Sequence, residues 1–234
     1  MEKKEWKKWM NHLKDDAMKN KKYSQCGEDV VLARIFAEIG TGSGFLVDFG
    51  AGDGVSLSNT KMLMEVGWRG LLMDGDNQGN EQVKQEFITA ENICSLFHKH
   101  GVPQNFDLLS LDIDGNDLWI LKAILDGEYR PRVFIVEMNP AIRNGANLTI
   151  KYNPTHKWAN NDYYGASFEA WKVLGKEYGY TLICQIESLN MIFVKSDIIP
   201  QDDYEIDYKQ KRDHAPSPAN SEWVKYIPTR VNNT

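Results

Sequence analysis

The residues best suited to chemistry in this sequence follow a short, mostly apolar run. Asp48 lies in that run, and Gly50, Gly52 and Gly54 then occupy every second position. The run predicts a buried parallel strand, and the glycines predict a tight turn where the backbone closely approaches a ligand. Because position 55 is Val, the dinucleotide pattern G-x-G-x-x-G is not met. The turn therefore favours a nucleoside-type methyl donor over NAD.

Asp74 ends a second apolar run, about twenty residues after the glycine turn. A carboxylate at that spacing can accept hydrogen bonds from both ribose hydroxyls of a bound nucleoside. The alternative is a residue that caps a helix or forms a turn. Asp48 would orient the loop or meet the ammonium group of the donor. The predicted donor site here comprises Asp48, Gly50, Ala51, Gly52, Asp74 and Gly75.

Two carboxylates, Asp112 and Asp114, stand two positions apart at the end of a third apolar run. If the strand persists that far, both lie on one side, where they repel unless a proton, a cation or a basic group separates them. Oxygen ligands of this kind suit Mg²⁺, Mn²⁺ or Ca²⁺. Glu137 and Asn139, after the next apolar run, could complete such a metal site. The alternative is that these acids cap a helix or form turns.

Strands that alternate with helices must position these side chains. The pattern predicts an α/β fold with a mostly parallel sheet, helices on both faces and a terminal antiparallel strand pair. Ligands on such sheets bind outside the carboxyl ends of the strands. The predicted strands are about 45–48, 71–74, 87–88, 106–112, 133–137, 181–186 and 191–194. The predicted helices are 28–38, one capped by Ser58 and Asn59, one from Thr89 with Asn92 to Lys99, and 166–178.

Charge and composition exclude several classes of protein. The net charge of −6 argues against broad binding of nucleic acid through its phosphates. No apolar run reaches the roughly 18 residues needed for a transmembrane segment, and the N-terminus lacks the apolar region of a signal peptide. The three cysteines are widely spaced and lack metal-ligand spacing. These features predict a cytoplasmic protein.

Residues 1–22 form a basic segment, with eight lysines against four acidic residues. Trp6, Trp9, Met10, Leu13 and Ala17 recur at helical spacing and predict an amphipathic helix with one apolar stripe. One interpretation is that the helix docks on a membrane surface, a partner or another subunit. The other is that its stripe lies on its own domain.

Taken in order, these motifs resemble those of the FkbM-type family of S-adenosylmethionine-dependent O-methyltransferases. The resemblance covers residues 23–196, so we divide the chain into an N-terminal helix (1–22), a methyltransferase domain (23–200) and a C-terminal extension (201–234). The matching segments are Tyr23–Gln25 with Gly27–Asp29, Val47–Gly54, Ser58–Thr60, Gly67–Gly70, Asp107–Asp117, Glu137–Pro140, Tyr164–Ser167 and Asn190–Val194.

The resemblance implies a class I methyltransferase (Rossmann-like) fold and methylation of a hydroxyl, often on a sugar or glycan. It implies S-adenosyl-L-methionine as the donor, with further donor contacts at Gln25, Asn59 and Asp112. The third strand is short, so Thr89 and Ala90 are assigned to the adenine by position alone.

Methyl transfer to a hydroxyl is an in-line displacement that depends on alignment of the reactants. A neutral hydroxyl is a poor nucleophile, so a general base or a divalent cation must help to remove its proton. The predicted catalytic residues are Asp112, Asp114, Glu137 and His156, and the first three are also the predicted metal ligands. His156 lies in a long loop rich in Trp and Tyr that could stack on sugars; the alternative is a surface residue.

Two other functions remain open from the sequence. An NAD-dependent oxidoreductase uses a similar sheet, although Val55 argues against it. A non-catalytic module could retain the fold in order to bind a glycan or a partner.

Overall fold

The structure, a computed structural model, describes residues 3–199, 206, 208, 211 and 214–230, with side chains from residue 9 onward. The helices are α1 (Lys3–Asn20), α2 (Glu28–Ile39), α3 (Lys61–Glu65), α4 (Ile93–Lys99), α5 (Asp117–Asp126) and α6 (Phe168–Glu177). The strands are β1 (Phe45–Phe49), β2 (Arg69–Asp74), β3 (Val83–Gln85), β4 (Asn105–Leu111), β5 (Arg130–Glu137), β6 (Thr149–Ile150), β7 (Tyr180–Ile186), β8 (Asn190–Lys195) and β9 (Trp223–Val224).

A seven-stranded sheet forms the centre of the fold, in the order β3-β2-β1-β4-β5-β8-β7. Strands β1 to β5 pair in parallel, whereas β8 runs antiparallel to both β5 and β7. The predicted α/β class, mostly parallel sheet and terminal antiparallel pair are therefore confirmed. The strand order reverses between β1 and β4, and ligands of open α/β sheets bind in the crevice at such a reversal.

Apolar side chains cover both faces of this sheet. Leu46 of β1 and Leu108 of β4 are paired in register and pack in one core with α1, α2 and α3. Val47 and Leu109, the next pair along the same strands, pack in the other core with α4, α5 and α6. Strands buried on both faces need continuous apolar runs, which is why the sequence reveals them so clearly.

The third strand is the element that the sequence misplaced. It spans Val83–Gln85, and the prediction of a strand near Phe87 and Ile88 is wrong. Only Val83 of β3 is buried, and the strand pairs with β2 alone at the edge of the sheet. A three-residue edge strand needs only one apolar side chain, so it leaves no apolar run to detect.

Two predicted helix starts have different outcomes. Thr89 and Asn92 exchange hydrogen bonds ahead of α4: the Thr89 N–H donates to Asn92 Oδ1 at 2.8 Å, and the Asn92 N–H donates to Thr89 Oγ1 at 3.3 Å. Before α3, the Ser58 hydroxyl accepts the N–H of Lys61 at 3.0 Å, as a cap would. Asn59 does not cap that helix; its amide donates to the Ser110 hydroxyl at 3.3 Å and ties the helix start to β4.

Helix α1 lies on its own domain. Met10, Leu13 and Ala17 are buried in the core shared with α2 and α3. At Gly27 an added Cβ would stand only 2.8 Å from the carbonyl carbon of Ala17, so the two segments are in close contact. The apolar stripe is thus covered from within the chain; the side chain of Trp6 lies outside the described residues. Within the described part, no helix has the length and apolarity required to cross a bilayer.

Residues 214–230 pack back onto the domain. Strand β9 pairs with β6, and the Asn147 amide donates to the carbonyl oxygen of Tyr226 at 3.0 Å. Tyr226 is buried, and its hydroxyl donates to the carboxylate of Glu177 at the end of α6. These contacts fix the segment beside the long loop that follows β5.

Candidate functional site

A cavity of about 590 Å³ opens at the carboxyl ends of β1, β2 and β4, where the strand order reverses. This volume lies within the roughly 300–1,000 Å³ typical of small-molecule sites. The predicted site residues on its wall are Gln25, Asp48, Gly50, Ala51, Gly52, Asn59, Asp74, Gly75, Asp112, Asp114 and His156. The fold therefore brings together segments that are separated by more than one hundred residues in the sequence.

The glycine turn after β1 brings the chain against the end of β4. Gly50 has φ of 71°, and a Cβ there would stand 1.6 Å from the carbonyl oxygen of Asp112. The contact excludes any side chain at this position, and the positive φ further favours glycine. Gly52, with φ of 51°, donates its N–H to Asp74 Oδ2 at 2.8 Å. The turn is thus locked between the ends of β2 and β4, with its backbone on the cavity wall.

Asp74 holds two backbone groups as well as lining the cavity. Besides Gly52, it accepts the N–H of Asp76 through Oδ1 at 2.8 Å. A carboxylate offers about four acceptor positions, so these two bonds orient the group and leave acceptor capacity for a ligand.

Asp48 is buried at the end of β1 and anchors the start of α3. The Thr60 hydroxyl donates to its Oδ2 at 2.6 Å. Burial raises the pKa of Asp48 to about 6, although the hydroxyl groups of Thr60 and Ser110 oppose the shift. These contacts join Asp48 to the start of α3 and to the Ser110 hydroxyl, and the role of orienting the glycine turn stays a prediction. Contact with a donor ammonium group stays a prediction.

Three carboxylates converge beyond β4 and β5. One oxygen from each of Asp112, Asp114 and Glu137 lies within 4.8 Å of the other two. Burial, and then the neighbouring carboxylates, raise the pKa of Asp112 and of Glu137 well above ordinary values. Burial also raises the pKa of Asp114, while His214 partly offsets the shift. Half-buried carboxylates this close repel one another when all are ionised, and a proton, a cation or a basic group such as His214 relieves that repulsion.

Asp117 fixes the loop that presents the cluster. Its two carboxylate oxygens accept the N–H groups of Ile113 and Gly115, each at 2.8 Å. Burial raises its pKa to about 6. Between these anchors Asp114 adopts φ of 53°, a left-handed conformation that Asp tolerates better than most residues. Asp117, the first residue of α5, therefore fixes the loop that precedes this helix.

Asn139, predicted as a further ligand beside the cluster, makes three hydrogen bonds to the backbone. Its amide nitrogen donates to the carbonyl oxygens of Asp162 at 2.8 Å and Tyr164 at 3.0 Å. Its Oδ1 accepts the N–H of Ala141 at 2.9 Å. The buried side chain is used to hold the segment that follows the long loop. No sequence pattern distinguishes this role from that of a metal ligand.

His156 reaches the cavity from the long loop. Its ring lies over Gly115, where an added Cβ would stand 2.7 Å from His156 Cδ2. Its Nε2 is buried and has no hydrogen-bond partner among the described residues. Burial lowers the pKa of His156, so its ring is neutral near pH 7 and able to accept a proton. Asn116 holds the loop in place, since its amide donates to the Asn153 carbonyl at 2.7 Å and accepts the Asn153 N–H at 3.2 Å.

The wall next to β3 differs from the prediction. Glu86, Phe87 and Ile88 line the cavity, whereas Thr89 and Ala90 are not among the described lining residues. The N–H of Ala90 donates instead to the hydroxyl of Tyr152 at 3.0 Å. Thr89 and Ala90 were assigned to the adenine from the predicted position of β3, and β3 lies earlier in the chain than predicted.

Two residues near the cluster were missed. Tyr164 is buried, and its pKa is raised first by burial and then by the carboxylates of Glu137, Asp114 and Asp112. In the sequence, Tyr164 belongs to the matching segment Tyr164–Ser167, and no role was predicted for it. His214 interacts electrostatically with Asp114, and its ring lies 4.9 Å from that of Trp158. Because His214 follows Asp114 by one hundred positions, no local signal could have linked them.

Comparison with known proteins adds no family assignment. The chain matches no protein-family model. A search of the curated proteins likewise found no match.

Proposed function

We propose that this chain is an S-adenosylmethionine-dependent O-methyltransferase with a class I methyltransferase fold, which methylates a hydroxyl of a sugar or glycan. The observation that supports it is the cavity at the β1–β4 reversal, where the glycine turn, Asp74 and two carboxylates of the cluster meet. A donor site and a set of candidate bases therefore share one space.

The charge of the cavity favours a cationic donor. Six of its described lining residues are acidic (Asp48, Asp53, Asp74, Glu86, Asp112 and Asp114), and one, Lys157, is a lysine. A field of this sign attracts a sulfonium and repels a pyrophosphate. S-adenosylmethionine, when bound, supplies a methyl group on a positively charged sulfur. Asp74 would accept hydrogen bonds from its ribose, and the backbone of Gly50 and Gly52 would lie beneath its ribose and methionyl portion.

The carboxylate cluster supplies the means to remove the acceptor proton. A carboxylate with a raised pKa is a stronger base than an ordinary one, so the ionised member of the cluster suits general base catalysis. Neutral His156 is the second candidate for this role.

The cluster would also fit a divalent cation. Asp112, Asp114 and Glu137 offer three oxygen ligands close enough to reach one ion, and such ligands suit Mg²⁺ or Mn²⁺. A bound cation would lower the pKa of a hydroxyl coordinated to it. Either arrangement relieves the repulsion within the cluster.

Calorimetric titration with S-adenosylhomocysteine tests the donor site. We expect wild-type protein to bind it and Asp74→Asn to bind about ten- to a hundredfold more weakly, because a charged hydrogen-bond acceptor is lost. Asp76→Asn is the matched control, since Asp76 is exposed and lies outside the described cavity lining. Absence of binding to folded wild-type protein would overturn the proposal.

The rival functions are less well supported. An NAD-dependent oxidoreductase would have to place two phosphates against the acidic wall, and its test is a change in NADH fluorescence on mixing. A non-catalytic binding module gives no reason to bring three half-buried carboxylates together, which is costly without a compensating role. Transfer of a radiolabelled methyl group to a panel of mono- and oligosaccharides separates the enzyme from that module.

A further inference from the structure

A second cavity, of about 540 Å³, adjoins the first. His156 and Lys157 line both cavities, so the two spaces meet at these side chains. One wall of the second cavity comes from the loop of residues 151–163. The other comes from residues 218–222 of the C-terminal segment.

Specific contacts hold this second cavity in shape. The Lys151 N–H donates to the carbonyl oxygen of Glu222 at 3.0 Å, and the Tyr163 hydroxyl donates to the same oxygen at 2.9 Å. The Ser221 N–H donates to the Pro218 carbonyl at 2.9 Å and closes a turn. Strands β6 and β9 pair directly beside these residues. A site that is formed in advance loses less entropy when it binds a ligand.

The lining of the second cavity suits a neutral, hydroxyl-rich ligand. Lys151 and Glu222 form an ion pair with each other, so the other charged side chain of the described lining is Lys157, and the cavity has no excess of acidic groups. The other groups include the rings of Tyr152 and Tyr163 and the amides of Asn161 and Asn220. Amides both donate and accept hydrogen bonds, as sugar hydroxyls do, and aromatic rings offer flat apolar surface for the faces of sugar rings.

The junction between the two cavities contains an unsatisfied polar atom. His156 Nε2 is buried without a partner among the described residues, which costs free energy unless a ligand compensates it. Trp158, two residues further on, lines the first cavity. A ligand that spans both cavities would therefore pass His156 between the carboxylate cluster and the second cavity.

We propose that the second cavity is an acceptor subsite for an oligosaccharide. It holds the sugar units next to the one whose hydroxyl reacts at the carboxylate cluster. This inference rests on the proposed function, and it adds that the acceptor is a glycan of two or more units, since a monosaccharide at the cluster would leave the second cavity unused.

Fluorescently labelled full-length protein, applied to an array of immobilised mono- to hexasaccharides, tests this subsite. We expect binding to glycans of two or more units and at least tenfold weaker binding to monosaccharides. Tyr163→Leu should weaken glycan binding about five- to tenfold relative to Tyr163→Phe. Both variants lose the hydrogen bond to Glu222, and only the phenylalanine keeps the aromatic face.

A second pair of variants tests whether the glycan occupies the second cavity. Asn220→Arg places a long side chain in the cavity and should weaken glycan binding at least tenfold. Asn144→Arg is the control, because Asn144 is exposed and is not among the described residues that line either cavity. S-adenosylhomocysteine binding should be unchanged in all four variants, and a circular dichroism spectrum like that of wild type shows that each is folded.

The outcomes separate the two proposals. No binding to any glycan of two or more units, equal binding to monosaccharides, preference for a parallel peptide array, or indifference to both Tyr163→Leu and Asn220→Arg would overturn the subsite. Glycan binding that responds to these variants in a protein that does not bind S-adenosylhomocysteine would instead overturn the methyltransferase proposal and leave the cavity a glycan site.

Discussion

The candidate site has two walls that differ in origin and charge. The first, the sheet wall, consists of the residues at the carboxyl ends of β1, β2, β4 and β5. The second, the cover, consists of residues 151–163 and 214–223. The sheet wall is acidic and is positioned by the strand ladders. The cover contributes amides and aromatic rings and is positioned by contacts between its two segments.

This difference suggests that the two walls have separate functions. Charge at the sheet wall is suited to hold a cationic donor and to remove a proton. At its second cavity the cover has the Lys151–Glu222 ion pair and Lys157 but no excess of acidic groups, and it is suited to recognise an uncharged acceptor. Changes at the sheet wall should therefore affect turnover, donor binding and folding, whereas changes at the cover should affect acceptor binding. The following predictions test that separation, from the largest expected effect to the smallest.

Removing charge from the cluster should have the largest effect. Asp114→Asn keeps the side-chain shape and should lower kcat about 10²- to 10⁴-fold, the range typical for loss of a general acid or base. Donor affinity should change little, as measured by titration with S-adenosylhomocysteine. Full activity in both Asp114→Asn and Asp112→Asn, together with no effect of EDTA, would exclude a base or metal role for the cluster. Loss of activity in EDTA, restored by Mg²⁺ or Mn²⁺, would favour the cation.

Gly50→Ala should break the sheet wall itself. Its Cβ would meet the Asp112 carbonyl oxygen at 1.6 Å, in addition to the strain of a positive φ. We expect a loss of about 3 kcal/mol or more in the free energy of unfolding, measured in urea. Gly79→Ala is the matched control: Gly79 has φ of 82° with nothing within 4 Å of the added atom. Gly79→Ala should lower the free energy of unfolding by only about 1–2 kcal/mol. Equal losses would show that contact with Asp112 is unimportant.

Asn116→Ala should loosen the cover more than it disturbs the sheet wall, although Asn116 also lines the first cavity. The change removes both hydrogen bonds to the backbone of Asn153, which hold the loop carrying His156. We expect the acceptor KM to rise about tenfold, corresponding to roughly 1.5 kcal/mol of lost positioning. The affinity for S-adenosylhomocysteine should stay within about twofold of wild type. A larger effect on donor binding than on acceptor KM would contradict the separation of the two walls.

Asp48→Asn should show how much the buried charge of Asp48 lowers the free energy of unfolding. The pKa of Asp48 is raised to about 6 in the folded protein, above its unfolded value of about 3.9. The folded state therefore binds more protons over this range, and wild-type stability falls as the pH rises through it. Relative to wild type, the variant should gain about 1 kcal/mol between pH 5 and pH 8, as measured by urea unfolding. Parallel stability curves over this range would refute the prediction.

Most of the sheet wall could be predicted from the sequence because its signals are local. An apolar run followed by glycine or an acid locates each strand end, as at Asp48, Asp74 and Asp112. The rule that parallel strands present their carboxyl ends at one edge then brings these residues together. Prediction failed beside this wall, at the edge of the sheet, where the signal was weak. Strand β3 has one buried apolar residue, and its misplacement also displaced the assignment of Thr89 and Ala90.

The cover could not be predicted in the same way. Tyr164 and His214 approach the cluster, and residues 218–222 form one wall of the second cavity, only because the chain folds back over tens of residues. The role of Asn139 likewise depends on carbonyl groups more than twenty positions away.

The sequence by itself determined six of the seven strands of the main sheet, the acidic ends of β1, β2 and β4, and the glycine turn, since each depends on a short pattern of apolar and small residues. Only the tertiary structure decided that three carboxylates form one cluster, that His156 lies over Gly115, and that a second cavity adjoins the first. The physical reason is that strand burial is encoded residue by residue, whereas contacts between distant loops depend on the packing of the whole chain.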